Sequence, residues 1–226
     1  MKLITVAGPP SSGKTAILTK VIDNLIPYYR VGVVKMDCLA TNDGNIYERK
    51  GVLVKVGLSG SICPDHFFVT NIEDVVEWGK QFKLDYLITE SAGLCNRCSP
   101  YIRNVMAVCV VDHLSGVDTP KKIGPMLKFA DLIVITKGDI VSQAEREVFT
   151  YRVRQANAKA KIIHVNGITG QGALELSKLF YDAQDVESVL KKRLRFTMPA
   201  ALCSYCLGET EIGKDYQIGN VKTMNW

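Results

Sequence analysis

Gly8-Pro-Pro-Ser-Ser-Gly-Lys-Thr15 is the stretch that decides the fold. It fits the pattern G-x-x-x-x-G-K-[ST], which carries meaning only between a strand and a helix. Both flanks are present: an apolar run over 2–7 precedes it, and apolar-periodic sequence over 14–26 follows. In that setting the glycines let successive backbone N–H groups turn inward and cup phosphate oxygens. The helix start adds its positive end. Gly8, Pro9, Pro10, Ser11, Ser12, Gly13, Lys14, Thr15 and Ala16 are therefore the expected phosphate contacts. Lys14 should reach the β- and γ-phosphates, and the Thr15 hydroxyl should bind Mg²⁺.

Working outward, short apolar runs alternate with helical patterns. Strands are predicted over 2–7, 31–35, 52–56, 84–90, 105–111, 131–136 and 161–165, and helices over 14–26, 67–80, 121–129, 141–157 and 172–192. Several strands are nearly continuous in Val, Ile and Leu, as strands covered on both faces are. The expected fold class is α/β, a P-loop NTPase with a mostly parallel sheet and helices on both faces. Such sheets bind ligands at the C-terminal ends of their strands. The pattern changes near residue 195. The predicted organisation is a nucleotide-binding domain over 1–194 and a short Cys-x-x-Cys appendage over 195–226.

The 226 residues carry 28 basic and 23 acidic side chains, a formal net charge of +5. Lys191, Lys192, Arg193 and Arg195 form the clearest cluster and read as the basic end of a helix. No aromatic interleaving accompanies them, so no nucleic-acid partner is expected. No apolar run is long enough to span a bilayer. The opening Met-Lys-Leu-Ile-Thr-Val-Ala-Gly reads as a strand entering a loop, and a cytoplasmic location is expected.

Carboxylates end several strands. Asp37 closes the second strand, and Asp43 follows in Thr41-Asn42-Asp43, either near the metal or as a helix cap. Glu90 closes the fourth, in Glu90-Ser91-Ala92-Gly93. Asp37 and Glu90, with Lys14, are the catalytic candidates, holding Mg²⁺-bound water or orienting the attacking one. The Gly93 N–H can meet a γ-phosphate and swing when it leaves. Thr136-Lys137-Gly138-Asp139 is similar to the guanine-reading Asn-Lys-x-Asp, with Thr in place of Asn. The Asp139 carboxylate can accept two hydrogen bonds from guanine, and the Lys137 stem can pack on the base. The loop 165–172 can close over it.

Four of the seven cysteines form the pairs Cys95/Cys98 and Cys203/Cys206. In a reducing compartment such pairs point to metal or thiol chemistry. Cys63-Pro64-Asp65-His66 can set Cys63 and His66 on one side of a helix's first turn, a donor set suited to Ni²⁺, Zn²⁺ or Cu⁺. Cys95 and Cys98 follow Gly93, so the loop that senses the γ-phosphate would also carry metal ligands. Cys203 and Cys206 can complete a structural zinc site or an iron–sulfur cluster with Cys95 and Cys98. Cys109 reads as core, and His113 and His164 as structural histidines at strand ends.

The ordered set Gly8–Thr15, Asp37, Thr41-Asn42-Asp43, Gly51-Val52, Cys63, Glu90-Ser91-x-Gly93 and Thr136-Lys137-x-Asp139 resembles the HypB/UreG type of metallochaperone GTPase. Gly116-Val-Asp-Thr-Pro120 also looks like the hydrogenase-type protein. The resemblance covers about residues 3–190 and implies a slow GTPase that cycles between GTP and GDP with Mg²⁺. It implies a homodimer that holds nickel or another metal between subunits and serves a client metalloenzyme or accessory protein. In that family a Cys followed closely by His at the position of Cys63 is a metal ligand; here Asp65 is inserted before His66. A second expectation is a nucleotide-dependent maturation factor for an iron–sulfur or corrinoid enzyme.

Overall fold

The computed structural model describes residues 1–93, 96–197, 210–217 and 221–226. Seven strands form one sheet: β1 (Lys2–Ala7), β2 (Val31–Asp37), β3 (Leu53–Leu58), β4 (Tyr86–Ser91), β5 (Met106–Asp112), β6 (Leu132–Thr136) and β7 (Lys161–His164). All pairings are parallel, in the order β3-β2-β4-β1-β5-β6-β7. The order reverses direction at β1, the point in such sheets where ligands bind beyond the strand ends. The helices are α1 (Lys14–Leu25), α2 (Asp43–Glu48), α3 (Pro64–Gln81), α4 (Thr119–Ile123), α5 (Pro125–Lys128), α6 (Gln143–Ala156) and α7 (Ala173–Phe180).

Strand alternation divides the core. Ile4, Val6, Val33, Ile88, Val108 and Val134 face α1 and α7. Leu3, Val34, Met36 and Leu87 face α3, and Ala107, Val111, Ile133 and Ile135 face α4, α5 and α6. Every apolar position of the central strands is thus covered, which is why their sequences are nearly unbroken Val, Ile and Leu.

Three elements depart from the sequence expectation. The helix expected over 121–129 is two, parted at Gly124 with φ 66° and restarted by Pro125. Pro at a first helical position is favoured because its missing N–H would have no partner there. The helix expected over 172–192 ends at Phe180. Beyond it the chain crosses to the opposite face of the sheet. The Val186 N–H donates to the Met1 carbonyl at 2.8 Å, and Val186 and Val189 bury in the core under α3. Tertiary burial overrides local helical propensity here. Finally, α2 begins at Asp43 itself with Asn42 as its N-cap, so the Asp read as a possible cap lies inside the first turn.

The described C-terminal residues pack against α3. Ile212 and Met224 are buried in its core. Asn71 clasps the chain, donating to the Lys222 carbonyl at 3.0 Å and accepting from the Met224 N–H at 2.7 Å. Among the described residues no helix is long and apolar enough to cross a membrane.

Candidate functional site

The loop 8–13 joins the end of β1 to the start of α1, where it faces the C-terminal ends of β2 and β4. Gly13 caps α1 in a left-handed conformation, φ 91°. The Lys14 ammonium arches back over the loop, donating to the Gly8 carbonyl at 3.0 Å and the Pro9 carbonyl at 2.8 Å. Burial holds its pKa below the ordinary lysine value, although Glu90 partly offsets this. A cleft of about 590 Å³ opens here, lined by Pro10, Ser11, Gly13, Lys14, Thr15 and Ala16 on one wall and Lys35, Asp37, Asp43 and Glu90 on the other.

The acidic wall is a connected network. Thr15 Oγ1 donates toward Asp43 Oδ2 at 3.0 Å and Glu90 Oε1 at 2.9 Å. Lys35 Nζ lies 2.6 Å from Asp43, 2.8 Å from Glu90 and 3.8 Å from Asp37. Tyr47 donates its hydroxyl to Glu90 Oε2 at 2.5 Å. Burial opposes the charge on Lys35, but Glu90 and Asp43 outweigh it and raise its pKa. The same ammonium holds Asp43 below the usual carboxylate range despite partial burial. A hydroxyl and oxygen-rich carboxylates beside a phosphate-cupping loop are the donors a hard divalent cation takes. A positive centre already sits among them. The set therefore fits Mg²⁺, with Thr15, Asp37, Asp43 and Glu90 as its candidate holders.

Gly93 lies directly on the phosphate loop. It has φ 61°, and a Cβ there would stand 2.0 Å from the Gly8 carbonyl oxygen. Only glycine lets the segment after β4 pass this close. On the far side, the Thr136 hydroxyl donates to the Ser12 carbonyl of the loop at 2.6 Å. Lys137 likewise reaches Ser11 O at 2.7 Å, with its backbone left-handed. Asp139 lines a second cleft with Asn166 and Gln171, at the C-terminal ends of β6 and β7.

A thiol cluster sits behind the acidic wall. Cys63 is the N-cap of α3, with Pro64 in its first turn. Ligand atoms of Cys63, Asp65 and Cys98 lie within 4.8 Å of one another, the one such group among the described residues. Asp65, buried at 1 % exposure, accepts from Ser91 Oγ at 2.8 Å and from the Cys98 thiol at 3.3 Å. Hydrogen bonding with Cys98 lowers the Cys63 pKa, outweighing burial, while burial raises that of Asp65. The residue inserted between Pro64 and His66 thus supplies the carboxylate of the cluster. His66, buried on the same first turn, stands outside that group of three and is biased to neutrality by its burial. Cys95, Cys203 and Cys206 lie outside the described residues. Cys109 is core, its thiol pushed up to about 12 by burial.

Lys35, Tyr47 and Asp65 are the residues that sequence reasoning passes over. The signal for Lys35 is a lone cation inside an otherwise apolar strand two residues before a carboxylate. Such a charge needs an acidic neighbour, and the parallel register supplies one by pairing Lys35 with Glu90.

Comparison with known proteins agrees with this geometry. The signature described as "CobW/HypB/UreG, nucleotide-binding domain" matches residues 2–164. An uncharacterized protein of Methanocaldococcus jannaschii is 46% identical over 226 residues, covering 100% of this chain and 97% of its own. The urease accessory protein UreG of Aliarcobacter butzleri is 28% identical over 159 residues, 66% of this chain and 81% of its own. The crystal structure of hydrogenase maturation factor HypB from Archaeoglobus fulgidus superposes with a TM-score of 0.65 at 22% identity, covering 80% of this chain and 89% of its own. HypB from Helicobacter pylori, crystallised in complex with nickel, gives 0.64 at 19% identity, covering 83% and 91%.

Proposed function

The chain belongs to the CobW/HypB/UreG nucleotide-binding family, and from that premise we propose that it is a GTP-hydrolysing metallochaperone. Its cargo is a transition metal ion, nickel or zinc, gripped by the Cys63 and Cys98 thiolates with Asp65. It delivers that ion to a client metalloenzyme or accessory protein, working as a homodimer in the cytoplasm.

The observation that carries this reading is the end of β4. Glu90 faces the nucleotide cleft, bonded to Thr15 and Lys35. Its neighbour Ser91 holds Asp65, which holds Cys98. Two consecutive residues therefore tie the phosphate side to the thiol side. Two residues on, Gly93 rests against the phosphate loop.

The chain's own groups divide the work. Backbone N–H groups of the loop and the Lys14 ammonium neutralise the phosphates. Thr136 and Lys137 brace the loop from β6, and Asp139 reads the base. Asp37, Asp43 and Glu90 are placed to hold or orient water. Mg²⁺, when bound, supplies the positive charge that the phosphoryl oxygens need. On the thiol side, the soft thiolates favour nickel, zinc or Cu⁺ over hard cations. Binding requires their deprotonation, which the lowered Cys63 pKa favours.

The test is metal and nucleotide analysis of anaerobically handled protein. The reading expects GTP hydrolysis, and Ni²⁺ or Zn²⁺ binding that falls sharply in Cys63→Ser. A protein that turns over no GTP and binds neither metal contradicts it. A cluster absorption band that is lost on Cys98→Ser would favour an iron–sulfur enzyme factor instead.

A further inference from the structure

Apart from the carboxylate that ends it, β2 is an apolar strand buried on both faces, with one exception. In Val31-Gly32-Val33-Val34-Lys35-Met36-Asp37 the lysine stands between covered positions and is 3 % exposed. The parallel register sets it beside Glu90 on β4 and Val56 on β3. Its ammonium contacts Asp43 Oδ2 and Glu90 Oε1, the two oxygens toward which the Thr15 hydroxyl also donates. Asp37 Oδ2 stands 3.8 Å from the same nitrogen.

Three carboxylates and a hydroxyl thus converge on one small volume, and the cation they share is part of the chain. An ammonium and a hard divalent cation compete for the same lone pairs and repel each other at this spacing. We propose that Lys35 is a built-in counter-ion that keeps the Mg²⁺ position closed in the nucleotide-free protein, so that the metal enters only together with nucleotide phosphate. This rests on the reading of the cleft as a Mg²⁺–nucleotide site.

Occupancy of the donor oxygens explains why nucleotide is needed. Without phosphate, Lys35 holds the Asp43 and Glu90 oxygens that a divalent ion would take and offsets one of the three carboxylate charges, so the ion would have to expel the ammonium unaided. Nucleotide phosphates bring further negative charge, so the pocket then requires more positive charge than Lys35 supplies. Asp37 and the arriving phosphate oxygens offer the ammonium other acceptors. Asp37 and Asp43 are each about one-quarter exposed and open to the cleft, whereas Glu90 is buried. Displacement therefore shifts an ammonium along the cleft rather than opening the core. A device of this kind prevents idle uptake of divalent ions and makes the acidic wall respond to phosphate.

The experiment uses nucleotide-free full-length protein and Mn²⁺, a hard probe with little preference for the Cys63 and Cys98 thiolates. Mn²⁺ binding is read from the loss of its free-ion electron paramagnetic resonance signal, and thermal melting is followed in parallel. Wild type is expected to bind Mn²⁺ weakly and to melt at a temperature independent of it. Lys35→Met is expected to bind at least about tenfold more tightly and to be stabilised by Mn²⁺. The gain should vanish in Lys35→Met/Asp43→Asn. Should Lys35→Met not fold, Lys35→Gln, which keeps nearly the length of the side chain and loses its charge, takes its place with the same expected gain in Mn²⁺ affinity. Equal Mn²⁺ affinity in nucleotide-free wild type and Lys35→Met overturns the proposal. So does wild-type binding that is as tight without GDP as with it. Failure of the parent reading looks different: fluorescent GDP then fails to bind wild type at all, whatever the nucleotide-free proteins do with Mn²⁺.

Discussion

Ser91→Ala is the smallest change that tests the link between the two halves of the site. It removes one oxygen, whose hydroxyl donates to Asp65 Oδ1 at 2.8 Å with both side chains 1 % exposed. Water does not reach Asp65 to replace the bond. A buried hydrogen bond to a charged group contributes about 1.5–3 kcal/mol. In a chain of this size each kcal/mol moves the midpoint about 2–4 °C, so melting should fall by about 3–12 °C. Urea unfolding of the metal-free protein gives the same quantity isothermally. The second readout is functional. Ni²⁺ affinity is titrated with and without a non-hydrolysable GTP analogue, and the ratio found in wild type should collapse toward one in the variant. A variant within about 0.5 kcal/mol of wild type, the range of ordinary surface substitutions, with an unchanged ratio would refute the reasoning.

Other outcomes follow from the same geometry. Gly93→Ala must place a Cβ 2.0 Å from the Gly8 carbonyl in a left-handed conformation. It should lose at least about 1 kcal/mol of stability and bind GDP poorly, as fluorescence titration would read. Asp139→Asn keeps one acceptor and loses the other, so GTP affinity should fall about 10- to 150-fold. Xanthosine triphosphate, which offers a carbonyl where guanine has its amine, should lose far less. Burial, then His164 and Arg146, hold the buried His113 below the ordinary histidine pKa. A depressed histidine is neutral in the fold and protonates more readily once unfolded. Its contribution is therefore present above the unfolded value of about 6.5 and lost as pH falls through and below it. His113→Phe should flatten the stability profile between neutral and mildly acidic pH.

Much of this molecule is legible in its sequence because two strong signals coincide. The phosphate loop is recognisable from local geometry alone, and the apolar strands announce a sheet covered on both faces. What sequence conceals is what depends on register and three-dimensional approach. Lys35 looks anomalous in its strand until pairing places Glu90 beside it. Asp65 looks like an insertion before His66 until the first turn of α3 points it at Cys98. Nothing in the sequence around Thr136 announces that its hydroxyl bonds to Ser12 on the distant phosphate loop. The end of α7 is hidden for another reason. Residues 181–192 are compatible with a helix, and only the burial of Val186 and Val189 on the far face pulls them out of it.

Glu90 and Ser91 join the two halves of the site, and through them nucleotide and metal should sense each other. Coupling between two binding equilibria is reciprocal, so it can be measured from either side. The most direct measurement is the affinity of wild-type protein for a non-hydrolysable GTP analogue, with Mg²⁺ present throughout, in saturating Ni²⁺ and in its absence. The two affinities should differ, and the same factor should appear when Ni²⁺ is titrated with and without the analogue. Identical affinities in both experiments, with each ligand binding well alone, would contradict the coupling.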